Sequence, residues 1–529
     1  MVDKSDNYKE KVMRPILVSD NVSDMVDAIQ AAIVEAKLPV LRRSNALVEP
    51  LYDPRPIRKG SPEKTQVTIL RRLDASQLRH IVTKHAAFFE KERQNKTKVR
   101  VMAPLDPFNT LIGLGHYHSG IRNVSGVIDA PTMRPDGTIL SEPGYDEATG
   151  LWHYLDPYLG SIEVPKKPTK KQAQAALDKL KALLAEFPFA DERLDLSVAL
   201  AAILTVVARG AFPTAVAFMV TAFAAGSGKG YLVELITSIA RGRKVVPISM
   251  GENEREFSLR LSVALMEGHS IISVDNCAQG QEVGGDFLCT MIAEGCAAPR
   301  ILGKSEMPQC DWNGTIFING NNISYRGDMV RRGLIINLDA QMERPETKVY
   351  KRRPVDEVIR NRAEYIAAAL TVVRAAFVSE EARGIKLNPL NGFEGWSQFI
   401  RRPLVWLGEQ DPIDCIEKVR SVSSAYRDTA AILEVSERLM AKKKGKGKGW
   451  RAAELLKTVS DLGLETEERE LFEAAFPARV GGIDAVGFGK WLSKNRGGIY
   501  GGRRLDWDPD QGGASVNKGR LWVIAEAVG

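Results

Sequence analysis

The chain has 529 residues, 44% hydrophobic and 26% charged, a balance that excludes a disordered or fibrous protein and gives room for about three to four domains. Lys and Arg outnumber Asp and Glu by 73 to 66, a net charge of +7 that permits a polyanionic partner without demanding one. The five cysteines, Cys277, Cys289, Cys296, Cys310 and Cys415, form no CxxC pair, which argues for reduced thiols, against zinc, and for a cytoplasmic location. Met1 to Arg14 carries charges of both signs and no apolar run, so no signal peptide is expected. The longest apolar run, Leu196 to Ala208, is too short to cross a bilayer, so no membrane partner is expected and the run reads as a buried helix.

Residues 1–165 read as an α+β accessory domain. The patterns predict helices over Asp24–Ala36 and Ala75–Glu90, a strand over Val67–Leu70, and a strand, Pro-Asp-Gly turn and strand within Gly126–Leu140. His116 and His118 would share a face of a strand, but no third ligand has suitable spacing, so polar strand residues are the favoured reading. No Asp-x-Asp pair stands at a strand end here, as two-metal nucleotidyl transfer would need, so no primase or polymerase site is expected. Residues 166–210 read as a helical collar, opened by the basic linker Pro165–Lys171, with Thr169 capping a helix over Lys170–Phe187 and a second helix after Asp191.

Residues 211–345 alternate strands and helices as an α/β nucleotide-binding domain does. The apolar run Ala215–Val220 feeds the turn Ala225-Gly226-Ser227-Gly228-Lys229-Gly230-Tyr231 and then the apolar-periodic segment Tyr231–Ile239. Small residues at that turn let backbone N–H groups converge on phosphate oxygens at a helix N-terminus, and Lys229 adds a point charge; these seven residues are the candidate nucleotide site. Gly230 stands where a phosphate loop ordinarily carries a Ser or Thr for Mg²⁺, and Phe223 where it carries Gly. Further on come a short strand over Lys244–Ser249, a helix over Glu254–Met266, and a strand over Ser270–Asp275 that ends in a carboxylate suited to Mg²⁺. Then follow a helix over Asp286–Glu294, a hairpin over Arg300–Glu306 with Gly303-Lys304 at its tip, a strand over Thr315–Asn321, and a strand over Gly333–Leu338 just after Arg331 and Arg332.

This ordered set, Gly226 to Lys229, Asp275, Gly284-Gly285-Asp286, Lys304, Asn321 and Arg331-Arg332, resembles the superfamily 3 helicases of the AAA+ class. Within that class it is most similar to the helicase half of the poxvirus-type and phage-type primase-helicases, found in phages, plasmids and integrated elements. The resemblance extends to Ala130–Gly150 upstream and Phe393–Gly408 downstream. It implies a multidomain α/β chain with an AAA+ phosphate-loop core that assembles as a homo-oligomeric, hexameric ring on single-stranded or forked DNA and hydrolyses ATP with Mg²⁺, leaving priming to a separate primase or polymerase. It implies roles for single residues as well: Asp275 on Mg²⁺ through water, Asn321 on the attacking water or γ-phosphate, Arg331 or Arg332 as a finger reaching a neighbour's ATP, and Lys304 gripping DNA. Asn276 stands where the family often has a second acid, so with Gly230 it leaves open a second reading, an ATP-binding replication initiator or DNA-binding switch with little hydrolysis.

Residues 346–437 read as mostly helical, and for Lys351-Arg352-Arg353 a solvated face is preferred to a DNA contact. Residues 438–449 read as a flexible cationic linker, and 450–529 as helices followed by a hairpin, a winged-helix-like pattern. That pattern would place Lys490, Lys494, Arg496, Arg503, Arg504, Lys518 and Arg520 on a DNA-binding helix and wing, with a solvated basic surface as the alternative.

Overall fold

The computed structural model describes residues 13–56, 64–91, 98–115, 120–154, 156–301, 303, 306–342, 344–348, 350–422, 424–445, 448–462, 466–477, 483–497, 499–508 and 521–526. The chain forms two compact units, one ending at Ile416 and the other beginning at Glu417.

In the first unit the N-terminal segment mixes helices and strands, with two departures from the sequence expectation. Helix Val22–Glu35 starts on Asn21, whose side chain accepts from the Ser23 N–H. The predicted helix Ala75–Glu90 stops at Thr83, and Ala86–Lys91 is instead a strand, parallel to Arg14–Leu17 and antiparallel to Lys98–Val101. Sheet pairing buries Ala86 and Phe88 against Phe108 and Leu111 in one core, and that burial overrides the helical pattern. The Gly126–Leu140 tract is also rearranged: Thr132–Met133 pairs with Ile139–Leu140 around the Pro-Asp-Gly turn, while Gly126–Ile128 runs parallel to Leu151–His153.

The collar helices are Lys170–Leu184, with a capping box between Thr169 and Gln172, and Leu194–Val207, which is almost wholly buried. They lead into the central sheet. We number its elements β1 (Ala217–Ala222), α1 (Lys229–Arg241), β2 (Ile248–Ser249), α2 (Glu254–Met266), β3 (Ile271–Cys277), α3 (Asp286–Glu294), β4 (Thr315–Asn321) and β5 (Gly333–Leu338). The five strands are all parallel in the order β2-β3-β4-β1-β5, so β4 is inserted between β1 and β3 and the chain then crosses β1 to add β5. Every C-terminal strand end therefore lies along one edge of the sheet, where open α/β sheets bind ligands.

The far end of α1 is clamped. Arg362, buried in helix Arg362–Val378, donates to the Ile239 and Ala240 carbonyls at 3.0 and 2.6 Å, and to Asp156 Oδ2 and the Asp129 carbonyl. This satisfies the helix's terminal acceptors and fixes the axis on which the loop before it sits. Arg43 does the same for α2, donating to the Leu265 and Met266 carbonyls and to those of Val124, Ser125 and Asp311.

In the second unit, helices Ser424–Lys444, Ala452–Ser460, Glu467–Ala475 and Ala485–Asn495 enclose a core of Leu455, Phe472, Phe488 and Leu492 with a three-stranded antiparallel sheet. The cationic stretch read as a flexible linker is helical up to Lys444, because Met440 is buried in that core and Lys444 pairs with Glu454. Strands Ile499–Tyr500 and Arg503–Trp507 join through Gly501-Gly502, both at positive φ, as a two-residue hairpin of type I′ requires.

Candidate functional site

The phosphate-loop sequence lies at the sheet's C-terminal edge. Strand β1 is buried along its length, and the chain leaves it through an exposed Phe223 before turning into α1. Two glycines make the turn. Gly226 has φ +75°, and Gly228, the N-cap of α1, has φ +88°, a region in which a side chain is strained. Gly226 also packs against a second segment, since a Cβ there would lie 2.9 Å from the Glu346 backbone nitrogen in the turn Pro345–Thr347. Gly230 differs from both: it lies inside α1, and a Cβ would meet only Asn319 Nδ2 at 4.0 Å. Geometry does not require glycine there.

Inside the turn, Ser227 Oγ and Lys229 Nζ both donate to the Ala224 carbonyl, at 2.7 and 3.1 Å. Burial pushes the Lys229 amine below the ordinary lysine value of 10.5, and the charge of Asp275 partly offsets this. Asp275 of β3 is thus close enough for its charge to act on the loop lysine. Tyr231, in the first turn of α1, stacks with Phe187 at 6.1 Å between ring centroids, and its hydroxyl accepts from the Val355 N–H. Ala225 completes the loop between Ala224 and Gly226.

Strand β3 carries a feature that the sequence pattern missed. Its register against β4 shifts between Val274 and Cys277, and Asn276 adopts φ +57° with its N–H bonded to Asp275 Oδ1 at 2.7 Å. Such a bulge re-aims side chains at a strand end, here the half-buried Asp275 and the exposed Asn276. Behind it, burial and the Asp275 charge push the Cys277 thiol up to about 11, which disfavours the thiolate.

Asn321 ends β4 opposite Ala222 of β1. The turn after it is stitched to β1 by the Asn322 N–H on the Ala222 carbonyl and the Ile323 N–H on Thr221 Oγ1, each 3.0 Å. Asn321 Oδ1 is buried and has no hydrogen-bond partner among the described residues. A buried acceptor left without a donor is costly, and such atoms mark places where a ligand or water completes the structure. Lys229 at the end of the loop after β1, Asp275 of β3 and Asn321 of β4 thus lie at the C-terminal edge of three adjacent strands.

Gly284 and Gly285 give room for the Arg326–Glu254 pair, since a Cβ at Gly284 would lie 2.7 Å from Arg326 Cγ and one at Gly285 2.6 Å from Glu254 Oε1. Asp286 opens α3. Arg331 pairs with Asp328 on the surface, whereas Arg332 is mostly buried and donates to the Cys289 carbonyl in α3 at 2.7 Å.

The hairpin region is anchored by Cys296–Ala297 pairing antiparallel with Cys310–Asp311, a longer stem than the sequence suggests, and the Ile301 N–H bonds the Glu306 carbonyl. Lys304 lies outside the described residues, as do His116, His118, Lys518 and Arg520. Arg352 takes part in intrachain contacts, donating to Glu357 Oε2 at 2.6 Å and to the Ala182 carbonyl. In the second unit Lys490 and Lys494 are exposed on helix Ala485–Asn495. Arg503 is held by Glu437 at 2.8 Å, and Arg504 by Asp506 at 3.1 Å. Arg496, also paired with Asp506, lies 3.4 Å over the Trp507 ring.

Among the described residues no cluster of three or more His, Cys, Asp or Glu could hold a metal, and no helix is long and apolar enough to cross a membrane. The acid at Asp275 fits Mg²⁺ only as an ion shared with phosphate oxygens and water.

No protein-family model matches the sequence, and no curated protein matches it. Solved structures with some similarity include the apo C-terminal region of NrS-1, with a TM-score of 0.37 and 14% identity over 84% of this chain and 94% of that one. A second apo structure of that region matches with TM-score 0.37 over 95% of this chain and 98% of that one. The JCV helicase matches with TM-score 0.21 and 10% identity, over 49% of this chain and 63% of that one. At such low TM-scores these likenesses carry no weight for function.

Proposed function

We propose that the chain is an ATP-dependent, ring-forming DNA translocase or helicase acting in replication of a phage, plasmid or integrated element. The observation that carries this reading is the convergence on one sheet edge of a loop with two positive-φ glycines, Lys229, Asp275 and an Asn321 whose buried Oδ1 lacks a donor. The strand order, with the loop strand β1 between β4 and β5, supports it because ligands settle where strand order reverses.

In this mechanism the Gly226–Gly230 amides and the positive end of α1 cradle the phosphates of ATP, and Lys229 exchanges the Ala224 carbonyl for a phosphate oxygen. Asn321 positions the attacking water through its amide. Mg²⁺, held at Asp275 through water, would supply charge neutralisation on the phosphates when bound. An arginine of the Arg331–Arg332 pair reaches the ATP of the next chain in the ring and stabilises charge on the transferring group. Lys304 would grip DNA as the family resemblance implies, and in the second unit the exposed Lys490 and Lys494 would do so.

Gly230 favours a second reading. With no hydroxyl next to Lys229, and Asn276 beside Asp275, the chain would bind ATP and act as an initiator or switch with slow turnover. Calorimetric titration of ATP into the wild-type chain and Lys229→Ala tests the nucleotide site that both readings share. The proposal expects saturable binding that Lys229→Ala weakens at least about tenfold, from a lost charge-assisted contact; equal affinity refutes it.

A further inference from the structure

One carboxylate serves both arginines at the turn Gly327–Arg331. Asp328 accepts from Arg331 Nε and, at 3.1 Å, from Arg331 Nη2, and it is also ion-paired with Arg332 Nη2. The two arginines differ in their surroundings. Arg331 is 45% exposed and Asp328 44% exposed, whereas Arg332 is 13% exposed and donates to the Cys289 carbonyl of α3. An exposed ion pair is screened by water and salt and adds little to stability, so Arg331 can change partners at little cost to the fold. A phosphate chain offers its planar fork the same kind of bidentate, charge-assisted contact as the carboxylate it leaves, with more negative charge behind it. Arg332 has no such freedom, because leaving would strand a partly buried carbonyl and its own guanidinium.

We infer that Asp328 is the resident counter-ion of Arg331, yielding it to the triphosphate of a neighbouring chain, while Arg332 remains a brace between this turn and α3. The inference rests on the ring reading above and divides a pair that sequence treats as equivalent. The resting contact has its own consequence: it partly neutralises the face until a partner's nucleotide arrives, which disfavours capture of stray polyanions.

Three variants test it. Alone, Arg331→Ala should melt like the wild type yet lose ATP turnover by about 10³-fold, the scale of a missing finger. Mixed with Lys229→Ala chains at fixed total protein, with mixing confirmed by crosslinking, it should regain turnover, because some interfaces then join a good loop to a good finger. Arg332→Ala should lower the melting temperature by about 3 °C or more, with Arg332→Lys restoring part of that loss by reaching the same carbonyl. In a Lys229→Ala background, Asp328→Asn should bind inorganic tripolyphosphate at least about threefold more tightly, since the competing carboxylate charge is gone. Wild-type chains without turnover would overturn the ring reading itself. Active wild type with no rescue of Arg331→Ala, unaltered melting of Arg332→Ala, or unchanged tripolyphosphate affinity of Asp328→Asn would each overturn this inference alone.

Discussion

Gly226 and Gly228 both sit at positive φ in the phosphate loop, yet their surroundings predict different costs for the same substitution. Alanine at φ +75° or +88° is strained by about 1–2 kcal/mol in either position. At Gly228 nothing is added, since the nearest atom to a new Cβ is Phe187 Cε1 at 4.0 Å. At Gly226 the Cβ would meet the Glu346 nitrogen at 2.9 Å and the Glu346 Cβ at 3.0 Å. That neighbour is backbone in a short turn closed by the Lys348 N–H on the Pro345 carbonyl at 3.1 Å, so it yields at an overpacking cost of about 1–3 kcal/mol. Gly226→Ala should therefore destabilise the first unit by about 2–5 kcal/mol, and Gly228→Ala by only the strain of about 1–2 kcal/mol. Denaturant unfolding, compared at equal m-value, measures both. The reasoning is refuted if Gly226→Ala costs no more than Gly228→Ala.

The remaining predictions separate stability from function at single residues. Asn321→Ala removes a buried acceptor that lacks a donor, so it should leave the unfolding midpoint unchanged or raise it while ATP turnover falls; a clear loss of stability would show that Asn321 is structural. Gly230→Ser should be accommodated without loss of stability, because a Cβ there meets only Asn319 Nδ2 at 4.0 Å and serine suits a helix better than glycine. If the missing hydroxyl limits turnover, the same variant hydrolyses ATP faster, and an unchanged rate with normal Mg-ATP binding removes that explanation. Burial holds Lys229 below 10.5 in the free chain, whereas phosphates favour the charged amine, so ATP binding should draw in a proton in the alkaline range. Calorimetry in buffers of different ionisation enthalpy should detect that uptake in the wild type and not in Lys229→Met; identical heats after buffer correction would contradict it.

Much of the core was legible because its signals are local. Helices Glu254–Met266 and Asp286–Glu294 and strands Thr315–Asn321 and Gly333–Leu338 fall where the local apolar patterns place them. What escaped depends on contacts distant in sequence. Nothing near Ala86 announces that it pairs with Arg14–Leu17 rather than extending the preceding helix. The bulge at Asp275–Asn276 arises from the fit of β3 to β4, and the approach of Glu346 to Gly226 from chain folding back over the loop. Intrachain partners are equally silent in the sequence: Arg503 is paired with Glu437, and the lysines of the expected linker end the helix Ser424–Lys444, whose Met440 is buried. Arg43 and Arg362, the buried clamps on α2 and α1, look in sequence like ordinary surface arginines.

The central claim is that nucleotide held at this sheet edge is hydrolysed to move along DNA. It is tested most directly by ATP turnover of the full chain with and without single-stranded DNA, in parallel with Lys229→Ala. The account predicts turnover that rises with single-stranded DNA, falls as salt screens the phosphate contacts, and disappears in Lys229→Ala. Turnover indifferent to DNA, or retained by Lys229→Ala, would contradict it.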